Sequence, residues 1–184
     1  VVVTTNCLIE PRKQYKNRLF TTNAVGWPGV PHVGDSDYSE VVACALSQPG
    51  FTGKEKAPGK VQELTVGFSH SAVLGIADTV VEAVKSGKVK HFFFIGGCDG
   101  SESERNYFRD LALATPEDSV ILTAGCGKFR INKLELGEVP GTGLPRVLDM
   151  GQCNDSYGAA LVAMKLAEAF DTDVNGLPLS FAVS

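Results

Sequence analysis

No two of the five cysteines lie closer than 27 residues, so the Cys-x2-Cys knuckles of structural zinc sites and ferredoxin-type iron–sulfur loops are missing. No apolar run approaches the roughly 18 residues needed to cross a bilayer, and no charged, then apolar, then small-residue leader opens the chain. A soluble, unexported protein without membrane partners is expected. Lysine and arginine never form a run of five, and the net charge is −4, so the electrostatic footprint of a nucleic-acid binder is lacking. Gly96-Gly97 follows an apolar run, but the third glycine of the dinucleotide fingerprint is absent. Histidine is scarce. His32 follows a proline-rich turn, His70 sits at a helix start and His91 opens a strand, so none is paired with a cysteine in a compelling way. An odd number of cysteines in a chain too large to depend on disulfide staples points to reduced thiols in a reducing, cytoplasmic setting.

What is present is a regular alternation of elements. At 184 residues the chain can bury a sizeable core as one domain or two small ones. Val1–Thr5 is β-branched and reads as a strand. Asp35 or Ser36 is placed to cap a helix carrying Val41, Val42, Ala45 and Leu46. Thr52–Lys60, rich in glycine, proline and lysine, is the best linker, which predicts a division into 1–59, the end of one α/β domain, and 60–184, a second α/β domain truncated at its carboxyl end. Beyond it, strands are expected at Leu64–Phe68, His91–Ile95, Ser119–Thr123 and Arg146–Asp149. Helices are expected from Ser69 or Ser71 to Gly87, over Glu104–Ala114, and from Asn154 or Asp155 to about Phe170. That order predicts an α/β fold of βαβ units with a doubly wound parallel sheet. The first and last stretches, Val1–Thr5 and Leu179–Ser184, read as strand sequence, which gives the expectation of a segment of a larger protein.

Four of the cysteines fall at strand ends. Cys98, Cys126 and Cys153 sit in the turns Gly97-Cys98-Asp99, Gly125-Cys126-Gly127 and Gly151-Gln152-Cys153, and Cys7 follows the opening strand. The carboxyl ends of parallel strands share one edge, where ligands bind, so thiols far apart in sequence converge there. Four readings compete: small buried hydrophobes, a nucleophile activated at a helix start, a zinc or simple iron–sulfur module, and a cluster assembled from distant strand ends. Glycines beside each thiol favour the last, because they admit bulky sulfide and leave amide N–H groups to donate to it. Cys44 lies on the apolar side of a helix and reads as core.

Thr5-Asn6-Cys7-Leu8, Arg18–Thr22, Val25-Gly26-Trp27-Pro28-Gly29-Val30, Gly96-Gly97-Cys98-Asp99-Gly100, Leu122–Arg130 and Asp149–Tyr157 together closely resemble the hybrid cluster proteins, also called prismane proteins or hydroxylamine reductases. The resemblance covers essentially the whole chain, and the family is related in fold to the carbon monoxide dehydrogenases. It implies Rossmann-like domains holding a hybrid iron–sulfur–oxygen cluster of 4Fe-2S-2O type. It implies that Cys7, Cys98, Cys126 and Cys153 are thiolate ligands, Cys98 carrying an extra sulfur as a persulfide in oxidised forms. The implied activity is reduction of hydroxylamine to ammonia and water, with nitric oxide as a further proposed substrate and an electron-donor protein as partner. Such proteins also draw a histidine and a glutamate from before Val1, a glutamate and a lysine from just after a segment like Leu177–Val183, and electrons from an amino-terminal cubane cluster. None of these is present in the chain, so the 184-residue segment alone is expected to be inactive. Asp99, Lys128, Asn154 and Asp155 flank the implied ligands and are candidates to orient them.

Overall fold

The computed structural model describes residues 1–4, 7–34, 36–53, 59, 63–98 and 104–184. They divide into two units, Val1–Val61 and Gln62–Ser184. The sequence expectations that involve Thr5, Asn6, Asp35, Asp99 and Gly100, and most of the linker, fall outside the described residues.

In the first unit, β1 (Val2–Val3) pairs in parallel with β2 (Phe20–Thr21), shorter than the opening strand expected. Thr21 extends the pairing by a bridge to His32, whose Nδ1 lies 3.1 Å from the Thr21 hydroxyl. Leu19, Phe20, Val25, Val30 and Val33 form the buried set. The helix α1 (Ser39–Leu46) begins three residues after Ser36, with the Asp37 carboxylate accepting from the Ser39 amide at 2.9 Å. None of its residues is buried, and Val42 and Leu46 are exposed.

The second unit is built on a four-stranded, wholly parallel sheet. Its strands are β3 (His91–Gly96), β4 (Ser119–Ala124), β5 (Val147–Gly151) and β6 (Leu179–Val183), in the order β5-β4-β3-β6. Successive residues of a strand face opposite sides, and this alternation separates two cores. Phe92, Val120, Leu122 and Leu148 pack with Val73, Val80, Ala83, Val162 and Leu166, which come from α2 (His70–Leu74), α3 (Ala77–Lys85) and α5 (Ser156–Ala169). Ile95 and Ile121 pack with Ile131 and with Phe108 and Ala112 of α4 (Tyr107–Ala114). β4, covered on both faces, is buried at all six positions, which explains why its sequence runs apolar rather than alternating. Among the described residues no helix is long and apolar enough to cross a membrane.

Three expectations need correction. Leu64–Phe68 is not a strand: Leu64 and Val66 are exposed, Gly67 takes φ +71°, and the segment's link to the sheet is the Phe68 amide donating to the Asp149 carbonyl at 2.8 Å. The helix expected from Ser69 to Gly87 is two helices. Ser69 caps the first by accepting from the Ala72 amide at 3.3 Å, and the chain then tightens at Gly75-Ile76, where the Ile76 amide reaches Val73 rather than Ala72. Cys44 is half-buried on a helix with no buried residue, so it is not a core residue of its unit.

Candidate metal centre

Three of the four singled-out cysteines lie at one edge of one sheet. Cys98 follows β3, Cys126 follows β4 and Cys153 follows β5, and these strands are neighbours. The edge is knitted laterally beyond the strands themselves. Gly97 and Gly125 form a parallel bridge, the Gly125 amide donates to the Gly151 carbonyl at 3.0 Å, and the Gly127 amide donates to the Gly97 carbonyl at 2.9 Å. Cys98 is also tied to the carboxyl end of β6, its amide donating to the Ser184 carbonyl at 3.2 Å and its carbonyl accepting from the Ser184 hydroxyl.

Cys98 and Cys126 directly follow glycines of positive φ, Gly97 at +108° and Gly125 at +73°, and Gly151, two residues before Cys153, takes +112°. Space as well as conformation demands glycine. A Cβ on Gly125 would lie 2.9 Å from the Gly97 carbonyl oxygen and 3.1 Å from the Cys153 sulfur, and one on Gly97 would lie 2.5 Å from the Ser184 carbonyl oxygen. The backbone thus leaves the thiol row uncrowded by side-chain carbon. All three thiols are exposed and none of the chain's cysteines is in a disulfide.

Two buried charges sit beneath this edge. Lys128, in the 3-10 helix Cys126–Arg130, places its Nζ 3.1 Å from Asp149 Oδ1, with side-chain exposures of 6% and 2%. Asn132 donates to Asp149 Oδ2 at 3.0 Å, and the Gly151 amide donates to Oδ1 at 2.9 Å. Lys128 stands out in the sequence because it adjoins a cysteine motif. Asp149 does not stand out in that way, although a carboxylate inside Val147-Leu148-Asp149-Met150 is the sign of a charge with a buried partner. Asp155 acts locally. Its carboxylate accepts from the Gln152 amide at 2.6 Å, closing a capping box at the 3-10 helix Cys153–Asp155 that leads into α5. Asn154 is exposed.

Cys7 lies in the first unit, exposed, in a turn. Of the histidines, His91 pairs with the Ser180 hydroxyl at 2.9 Å at the amino end of β3, away from the thiols. His70 lies at the start of α2, against Gly158 of α5.

The donor set suits a body of several atoms. Neighbouring strands are about 4.8 Å apart, so the backbones of the three strand ends span roughly 10 Å. Thiolates bound to one zinc ion at about 2.3 Å lie within about 4.6 Å of each other. Among the described residues, no three His, Cys, Asp or Glu side chains gather closely enough to hold a single metal ion. Soft, exposed thiols in glycine-lined turns match the chemistry of an iron–sulfur group.

Close relatives carry this sequence within longer chains. The hydroxylamine reductase of Zymomonas mobilis is 55% identical over 184 residues, all of this chain and 33% of the relative. That of Acidithiobacillus ferridurans is 52% identical over the same span, 32% of its length. The chain therefore spans about a third of these curated relatives. Among solved structures, carbon monoxide dehydrogenase IV from Carboxydothermus hydrogenoformans superposes with a TM-score of 0.73 at 20% identity, covering 99% of this chain and 36% of that one. An acetyl-CoA synthase/carbon monoxide dehydrogenase whose α subunits hold NiZn[Fe4S4] and NiNi[Fe4S4] clusters gives a TM-score of 0.63 at 16% identity, over 99% of this chain and 34% of its own. These structures share the fold. Residues 1–184 match one family in full, and the chain belongs to the Prismane/CO dehydrogenase family.

Proposed function

We propose that the chain is the thiolate-bearing segment of a longer hydroxylamine reductase, with Cys7, Cys98, Cys126 and Cys153 as ligands of a hybrid iron–sulfur–oxygen cluster and Cys98 as its persulfide-forming member. The observation that carries the proposal is the row of three exposed thiols on neighbouring strand ends, each behind a glycine of positive φ. Identity of more than half to relatives named hydroxylamine reductase supports the substrate. Residues 1–59 and 60–184 then belong to two α/β domains, the second contributing the three-thiol edge.

The reaction takes hydroxylamine, two electrons and two protons to ammonia and water, breaking the N–O bond. The bound cluster would supply electrons and a Lewis-acidic iron. This chain's share is to hold and shape. Its turns present soft ligands and its glycines keep carbon away from sulfide. β6 runs parallel to β3 and ends beside Cys98. A separate electron-donor protein and a reducing cytoplasmic setting complete the scheme, the latter keeping the thiols available.

The test compares the 184-residue segment with the longer chain, both reconstituted anaerobically with iron and sulfide and assayed for ammonia from hydroxylamine with a chemical reductant. Turnover by the longer chain and none by the segment is the expected result. Turnover by the segment, or inactivity of a longer chain loaded with iron and sulfide, would contradict the proposal.

A further inference from the structure

Asp149 is unusual in this edge because one carboxylate is shared among both cysteine turns of β4 and β5. From the Cys126 turn it receives Lys128 Nζ at 3.1 Å and Asn132 Nδ2 at 3.0 Å. From the Cys153 turn it receives the Gly151 amide at 2.9 Å. The ladder needs such a fastening at this point. β4 and β5 pair in register through Thr123 and Asp149, then slip, so that Ala124 faces Gly151 and Met150 is left over. An extra residue of this kind weakens the ladder and re-aims the chain. Immediately beyond the slip, the Gly125 amide bonds to the Gly151 carbonyl, and a Cβ on Gly125 would touch the Cys153 sulfur. The carboxylate therefore bridges the irregularity at the place where the two cysteine turns diverge.

Burial makes this fastening stiff. Lys128 and Asp149 are almost fully enclosed, and a buried pair adds little stability compared with apolar residues of the same shape, whereas removing one partner alone is strongly destabilising. Such a pair is better accounted for by what it fixes than by what it stabilises. Resting on the cluster reading above, we propose that Asp149 is a positioning residue for the cluster edge: by clamping Lys128 and Asn132 on one side and Gly151 on the other, it sets the separation and aim of the Cys126 and Cys153 thiols. It touches neither substrate nor cluster in this role.

The test uses the longer chain carrying this segment. Asp149→Asn keeps the shape but leaves Lys128 buried without a counter-charge, and is expected to lower stability. Asp149→Leu with Lys128→Met removes both charges and both acceptor oxygens, is expected to retain a cooperative unfolding transition, and separates positioning from folding. In the cluster-free double variant, the amides of Gly125 and Gly151 should exchange about five- to thirtyfold faster than in wild type, as loss of roughly 1–2 kcal/mol of local stability implies, with the amides of β3 unchanged. After reconstitution, the double variant should carry less iron and sulfide per chain and give an altered electron paramagnetic resonance spectrum. If it unfolds cooperatively, protects Gly125 and Gly151 as wild type does and loads a cluster with the wild-type spectrum, the positioning role is overturned. If wild type binds no iron, the cluster reading fails instead, while amide exchange still decides whether Asp149 holds the two turns.

Discussion

At the residue scale, the glycines decide as much as the cysteines. Gly125 sits at φ +73°, ψ −160°, a region essentially restricted to glycine, with the Gly97 carbonyl and the Cys153 sulfur against the face where a side chain would grow. Gly125→Ala should cost about 1–3 kcal/mol of stability and reduce iron content even in protein that folds, measured by denaturant titration alongside metal analysis. Wild-type iron content in a folded Gly125→Ala chain would mean that the turn tolerates a side chain near the ligands. This much was legible in the sequence, because glycine next to Cys98 and Cys126 and two residues before Cys153, all at strand ends, has a mechanical reading. Asp149 was not legible to the same degree. Its partners Lys128 and Asn132 lie 21 and 17 residues away and are brought to it by the pairing of β4 with β5, whereas Gly151 is a local partner two residues on in the same strand.

At the element scale, the strands that are buried on both faces were easy to find and the segments without partners were not. His91–Gly96 and Ser119–Ala124 are near-continuous apolar runs because helices cover both sides of the sheet. Leu64–Phe68 has a comparable pattern of residues, yet its link to the edge strand β5 is the single Phe68 amide bond to the Asp149 carbonyl among the described residues, and Leu64 and Val66 remain exposed. Local propensity cannot report whether a partner exists. The same limit applies to α1, whose apolar residues follow helical spacing but are not buried within their unit. Covering has a measurable cost when it is undone. Ile121 is fully enclosed between β4's neighbours and Phe108, Ala112 and Ile131 on its side of the sheet. Ile121→Ala should destabilise the chain by about 2–5 kcal/mol in urea unfolding. A loss well under 1 kcal/mol would show that this second, smaller core collapses around the cavity or contributes little.

At the scale of the whole molecule, the chain corresponds to one part of the longer relatives it resembles. It spans about a third of the curated relatives it matches, and its described residues form two units that carry unequal shares of the proposed ligand set, Cys7 in one and three cysteines in the other. Family membership was legible because the cysteine motifs are long and occur in a fixed order. The edge that carries Cys98, Cys126 and Cys153 follows from parallel topology, which the alternation of strands and helices had signalled. The central claim is that four of the five cysteines, and not the fifth, are cluster ligands. Iron and acid-labile sulfide counted per chain, in the longer protein purified without oxygen, test it most directly across Cys→Ser variants at positions 7, 44, 98, 126 and 153. Loss of iron and sulfide at 7, 98, 126 and 153 with wild-type content at 44 is the predicted result. Wild-type content in any of the four, or equal loss at Cys44, would contradict it.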